Sequence, residues 1–139
     1  CATRDGSKNM EQKVNAIIKN KNLDGRVRLV TDFLDDDVAI ATLAKCELLV
    51  FPYQNTKESA SGAVRMGVAA GVPLAVTPIP IFDDVEGAIK LRGRTVDDIV
   101  ASISSIDQSS LDSSRKSMIE LRDSLQWDEV ANRIQKLLK

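Results

Sequence analysis

The fold is decided by residues 48–77, which read LLVFPYQNTKESASGAVRMGVAAGVPLAVT. The continuous apolar runs at residues 48–51 and 74–77 are typical of strands covered on both faces. Between them, residues 61–70 predict a helix, which ends at Gly71, a residue that tolerates a left-handed backbone. A strand, a helix and a second strand at this spacing predict a parallel sheet.

Upstream of this unit, the pattern predicts two helices with a strand between them. Apolar residues at helical spacing predict a helix over about residues 8–21, and residues 27–31 alternate like a strand. Three aspartates at residues 35–37 precede an apolar helix, where acidic side chains complement the helix dipole. A divalent metal site at these aspartates is the less favoured alternative, because consecutive helical side chains point in different directions.

Downstream, the pattern predicts one short strand followed by helices. Residues 88–91 predict the strand, and Thr95 with Asp98 approximates a capping box at the start of the next helix. Residues 127–138 carry the clearest amphipathic pattern in the chain. The alternation of strands and helices predicts one α/β domain over residues 1–139, with a Rossmann-like parallel sheet and helices on both faces.

The composition excludes several classes of protein. The 139 residues are 43% hydrophobic and 28% charged, an ordinary balance for one globular domain. The net charge is −1 and the basic residues are scattered, so we expect no nucleic-acid partner. No apolar run approaches the roughly 20 residues of a membrane-spanning helix, and no secretory signal opens the sequence. We therefore expect a cytoplasmic protein.

The sequence contains no histidine, which removes Ser-His-Asp catalysis and histidine-ligated zinc. Its two cysteines, Cys1 and Cys46, do not have the spacing of metal ligands, and we predict no metal site. Any chemistry must rest on carboxylates, lysines, arginines or backbone dipoles. The loop and helix start at residues 57–66 follow a buried strand, where backbone N–H groups can face an anion.

Together these motifs resemble glycosyltransferase family 4, and within it the C-terminal, donor-binding domain of the two-domain GT-B fold. In chain order, the resemblance is carried by residues 27–30, 35–37, 48–52, 58–66, 71–73 and 126–130. It extends over residues 27–138. The resemblance implies that the first strands of the domain and the whole N-terminal domain precede this sequence.

The family signature is a glutamate followed, after seven residues, by a second glutamate. Glu58 occupies the first position and Met66 stands at the second. The resemblance implies that Glu58 is catalytic and lies against the donor sugar. It also implies that backbone amides of Ser61, Gly62 and Ala63 bind the diphosphate.

Ser59 and Arg65 complete the predicted substrate-binding set. Methionine cannot replace a glutamate as an acceptor for ribose hydroxyls. Either another group holds the ribose, or donor binding is weak, or the domain has lost activity; Arg65 is long enough to offer a substitute contact to phosphate or sugar. Without the resemblance, Glu58 would be taken for a solvated loop carboxylate, and Arg65 fits a solvent-facing helix position equally well. Trp127 is expected to pack the last helix.

The resemblance implies a retaining, metal-independent glycosyltransferase of polysaccharide biosynthesis, with a UDP- or GDP-sugar as donor and no further cofactor. The acceptor would be a glycan or a lipid-linked saccharide, held by the missing N-terminal domain, so we expect no transfer by this fragment alone. Peripheral membrane association of the parent chain and an oligomer formed through exposed sheet edges both stay open. The alternatives are a non-catalytic GT-B-like interaction module, which Met66 favours, and, least favoured, a flavodoxin-like signalling domain.

In the family's sheet, two strands lie between those predicted at residues 27–31 and 48–51. Because unpaired central strand edges are costly, we expect one of two outcomes. Either these two strands pair directly in a rearranged sheet, or another chain contributes a strand.

Overall fold

A computed structural model describes residues 4–56, 58 and 60–138, and contacts between residues group the chain into two compact units. Unit 1 comprises residues 1–34 and unit 2 comprises residues 35–139. The assignment of residues 1–139 to a single domain stays a prediction.

Unit 1 is built on one helix, α1 (Arg4–Asn20). It matches the helix predicted over residues 8–21 but begins four residues earlier. Asn22 adopts a left-handed conformation (φ 52°) just after the helix, and the Leu23 amide donates to the Ile18 carbonyl at 2.9 Å. Ile18 is buried, whereas Ile17 is 57% exposed, so α1 has a single buried stripe.

The strand predicted over residues 27–31 is wrong, because the structure places these residues in irregular backbone. Val27 and Val30 are 42% and 48% exposed. Alternating apolar residues form a strand only where a neighbouring strand pairs with their backbone. The described part of unit 1 contains no such neighbour, and the direct pairing expected between residues 27–31 and 48–51 is therefore also wrong.

Unit 2 is an α/β unit with a three-stranded parallel sheet in the order β1-β2-β3. This confirms the predicted fold class at the level of an α/β protein with a parallel sheet. In chain order, its elements are α2 (Asp36–Leu43), β1 (Leu49–Phe51), α3 (Gly62–Ala70), β2 (Leu74–Val76), a 3₁₀ turn (Pro80–Phe82), β3 (Ile89–Lys90), α4 (Val96–Ser104), α5 (Gln108–Ser124) and α6 (Trp127–Leu137).

The packing of α3 follows from its glycines. At Gly67, an added Cβ would lie 2.9 Å from Leu74 Cδ2, so a larger residue here would force that buried side chain to shift. Gly71 ends α3 in the left-handed conformation predicted for it (φ 66°). Val64 and Val68 of the same helix are at most 2% exposed.

The core of unit 2 surrounds β2, whose three residues are completely buried. Phe82 of the 3₁₀ turn and Met118 of α5 are completely buried in the same cluster. The buried Ser114 hydroxyl also accepts a hydrogen bond from the Leu74 amide at 3.4 Å. This contact fixes α5 against the start of β2.

Two surfaces of unit 2 lack a partner within the described residues. Strand β1 pairs with β2 on one side, and no described strand lies on its other side. Along α6, Trp127, Ile134 and Leu137 are 85%, 53% and 86% exposed. The amphipathic helix is therefore confirmed, whereas the expected packing of Trp127 is wrong.

Candidate functional site

The loop that follows β1 leaves the sheet at the carboxyl end of the strand, and its first residues are held firmly. Thr77, completely buried at the end of β2, donates its hydroxyl to the Tyr53 carbonyl at 2.8 Å. The Thr77 amide donates to the Phe51 carbonyl at 3.3 Å. The loop therefore starts from a fixed position over the neighbouring strand.

The far end of this loop is fixed by Ser61. Its hydroxyl caps α3 by accepting from the Val64 amide at 3.4 Å, and it shares a 3.1 Å hydrogen bond with the Tyr53 hydroxyl. The Tyr53 ring packs on Phe82, with centroids 5.2 Å apart. The Ser61 hydroxyl is thus already engaged in holding the loop and the helix start.

The first turn of α3 contains two amides without an acceptor among the described residues. They belong to Gly62 and Ala63, which are both exposed. A Cβ added to Gly62 would meet no atom within 4 Å. Amides without an acceptor at the positive end of a helix dipole can bind an anion.

Glu58 lies in the same loop and is exposed. Its amide donates to the Thr56 hydroxyl at 3.1 Å, which forms a local turn. Its carboxylate has no hydrogen-bond or ion-pair partner in the described part of the chain. Ser59, predicted to bind substrate, lies outside the described residues.

Arg65, the fourth residue of α3, forms an ion pair with Asp84 beyond the 3₁₀ turn. The two side chains are 38% and 57% exposed, so solvent screens the pair and a ligand could compete for the guanidinium. Met66 is half-buried, which suits a residue that fills space between α3 and its neighbours.

The structure adds a polar cleft that the sequence reasoning missed. It has a volume of about 690 Å³ and is lined by Gln54, Asn55, Arg94, Thr95 and Asp98. These residues follow β1 and β3, at the same edge of the sheet. Polar residues directly after predicted strands were the available signal, since the carboxyl ends of parallel strands meet at one edge.

Asp98 is held in place on one side of this cleft. Its Oδ2 accepts hydrogen bonds from the Thr95 hydroxyl at 2.6 Å and from the Thr95 amide at 3.2 Å. These hydrogen bonds stabilise the carboxylate and hold the pKa of Asp98 below its ordinary value. The predicted capping box is confirmed, because the Asp98 amide in turn donates to the Thr95 hydroxyl.

Comparisons with protein-family models, with curated proteins and with solved structures find no match. Across residues 4–56, 58 and 60–138, no three aspartate, glutamate, cysteine or histidine side chains come together as a metal site. Among the helices described, none has the length and apolarity needed to cross a bilayer.

Proposed function

We propose that this chain is part of the donor-binding domain of a GT-B glycosyltransferase, retaining and metal-independent, which binds a UDP- or GDP-sugar. The observation that carries the proposal is that Gly62 and Ala63 are exposed and that their amides have no acceptor among the described residues. They lie at the start of α3, after a loop that leaves the carboxyl end of a parallel strand. Open α/β sheets bind phosphorylated ligands at this kind of position.

The diphosphate is the part of the donor that these amides suit. Negative charge grows on the leaving diphosphate as the glycosidic bond breaks, and fixed N–H dipoles stabilise that charge without reorganising. Glu58, with an exposed carboxylate on the same loop, would stabilise positive character at the anomeric carbon or orient sugar hydroxyls. Arg65 would contribute a cation by exchanging Asp84 for phosphate.

We further propose that the acceptor of the sugar is a glycan or a lipid-linked saccharide, which a second domain of the parent chain binds. A cytoplasmic location is also part of it, and fits a chain with two cysteines.

The interaction module is the second candidate, and the exposed apolar side of α6 favours it. Trp127 and Leu137 are both more than four-fifths exposed. Apolar side chains clustered on a solvent-facing helix are typical of a surface that binds another protein or domain. A donor-binding domain could carry the same surface, so this observation alone does not separate the two candidates.

Nucleotide binding can be tested by titrating the ¹⁵N-labelled chain with UDP and with GDP. We expect one of them to shift the amide resonances of Gly62 and Ala63. The variant Gly62→Leu should weaken that binding by about tenfold or more, because the new side chain occupies the approach to the amides. Gly25→Leu is the matched control, since Gly25 also has open space around its Cβ position.

Two results would contradict the proposal: no shift at Gly62 and Ala63 with either nucleotide, or equal loss of binding in both leucine variants. In the parent enzyme, Glu58→Gln should abolish transfer while nucleotide binding persists. Transfer at the original rate in that variant would favour the interaction module.

A further inference from the structure

The polar cleft at the carboxyl edge of the sheet has a defined architecture. Gln54 Nε2 donates to the Arg94 carbonyl at 3.1 Å, and the Arg94 guanidinium donates back to Asn55 Oδ1. These two contacts connect the loop after β1 to the loop after β3, about forty residues apart in sequence. On the other side, Thr95 holds the Asp98 carboxylate. The lining thus consists of two hydrogen-bonded groups, one that joins Gln54 and Asn55 to Arg94 and one that joins Thr95 to Asp98.

The remaining hydrogen-bonding capacity of the cleft is mixed. Among the described residues, the Gln54 amide oxygen, the Asn55 amide nitrogen and the second Asp98 oxygen have no partner. Arg94 keeps further N–H donors beyond the one given to Asn55. The cleft thus offers donors and acceptors side by side.

The charges of the cleft select between classes of ligand. The positive charge of Arg94 is matched by the negative charge of Asp98, so the lining carries no net charge. A phosphate has acceptors in excess and would be repelled by the aspartate. A sugar hydroxyl both donates and accepts, which suits a lining that alternates the two.

We propose that this cleft binds the hydroxyl groups of a saccharide. Asp98 and the Gln54 oxygen accept from the sugar, whereas Asn55 and Arg94 donate to it. The inference rests on the proposed function to the extent that it names the sugar-binding part of the same sheet edge. Gln54 and Asn55 lie on the loop that also carries Glu58.

The test is a titration of the ¹⁵N-labelled chain with glucose, with N-acetylglucosamine and, separately, with UDP. We expect at least one sugar to shift the side-chain NH₂ resonances of Gln54 and Asn55. The side-chain resonance of Gln108, an exposed amide that donates to Asp112 at 2.9 Å, should stay in place. UDP should instead shift the backbone amide resonances of Gly62 and Ala63.

Substitutions of single cleft residues test whether these side chains bind the sugar. Asn55→Ala and Arg94→Met should each weaken sugar binding by about tenfold, because each removes donors to the sugar. The matched control Gln108→Ala should leave sugar binding unchanged. Neither cleft variant should alter the shifts that UDP causes at Gly62 and Ala63.

The outcomes separate this inference from the proposed function. If UDP shifts Gly62 and Ala63 but neither sugar shifts Gln54 or Asn55, the cleft assignment fails and the nucleotide site stands. If a sugar shifts the side-chain resonances of Gln54 and Asn55 while UDP and GDP shift no resonance, the cleft assignment stands and the nucleotide site fails. If UDP rather than either sugar shifts the cleft amides, the cleft belongs to the nucleotide site and the inference is overturned.

Discussion

At the scale of single residues, Gly71 is one of two described positions, with Gly87, where the backbone itself favours glycine. Its φ of 66° is unfavourable for residues with a Cβ, and an added Cβ would lie 3.2 Å from Arg122 Nη1. We expect Gly71→Ala to lower the free energy of unfolding by about 1–2 kcal/mol. Urea denaturation measures the change, with Gly25→Ala as control, since no left-handed strain arises there. Equal midpoints for both variants would contradict this account of the α3 terminus.

Asp84 decides how available Arg65 is to a ligand. The pair is partly exposed, so we expect Asp84→Ala to change stability by less than about 1 kcal/mol. If Arg65 binds phosphate, the variant should strengthen UDP binding, because the guanidinium no longer has to leave a carboxylate. The control is Asp83→Ala, which removes one negative charge nearby and leaves the ion pair intact. Calorimetric titration with UDP should show a larger gain for Asp84→Ala than for Asp83→Ala; equal gains would exclude Arg65 as the cause.

At the scale of elements, the start of α4 should make stability depend on acid pH. Hydrogen bonds from Thr95 lower the pKa of Asp98 in the folded state, from an ordinary value of 3.8. A lowered folded-state pKa adds stability that is fully present above the unfolded-state value and disappears as pH falls through the folded-state value. We expect Asp98→Asn to flatten the loss of stability below about pH 4.

Urea denaturation at a series of acidic pH values measures this effect. Asp97→Asn is the control, because Asp97 is also in the first turn of α4 but makes no capping hydrogen bond. Asp107 also has a lowered pKa, caused by hydrogen bonds from Ser110, so some acid dependence should persist in the Asp98 variant. An unchanged pH profile for Asp98→Asn would contradict the expected role of the capping box.

Elements whose signals are local could be predicted from the sequence. The strands around α3, its end at Gly71 and the cap of α4 each follow from residues within one turn or one strand. Residues 27–31 carry a strand pattern, but a strand also needs a partner, which the pattern does not supply. For α6 the helix was predictable, while the exposure of Trp127 depends on what lies opposite it.

In the candidate site, too, local features could be predicted from the sequence, whereas contacts between distant residues could not. The start of α3 was predicted from consecutive small residues, whereas its cap was not: Ser61 was expected to be the first residue of the helix, and it caps the helix instead. The contact of Arg65 with Asp84 joins residues 19 apart in sequence, and that of Gln54 with Arg94 joins residues 40 apart. Only the folded sheet brings such residues together, so no short motif contains them.

At the scale of the whole molecule, the hydrophobic core cluster belongs to unit 2. Its buried members run from Leu49 to Met118. We therefore expect residues 35–139 to fold without unit 1 and to unfold at nearly the same urea midpoint as the full chain. Phe82→Ala should cost about 3–5 kcal/mol in both, because Phe82 is completely buried. A shorter chain without cooperative unfolding would show that the core depends on unit 1.

Because β1 pairs with a described strand on one side only, hydrogen exchange at the Val50 amide can report whether another strand binds on the other side. The Leu49 amide and the Phe51 carbonyl bond toward β2, so the Val50 N–H between them points to the other side of the strand. In a monomer, the Val50 amide should exchange its hydrogen with solvent far faster than those of β2. Slow exchange at Val50 that appears only at high protein concentration would show a second copy adding a strand there. Slow exchange that appears only when the proposed upstream domain is present would instead identify an upstream strand as the neighbour.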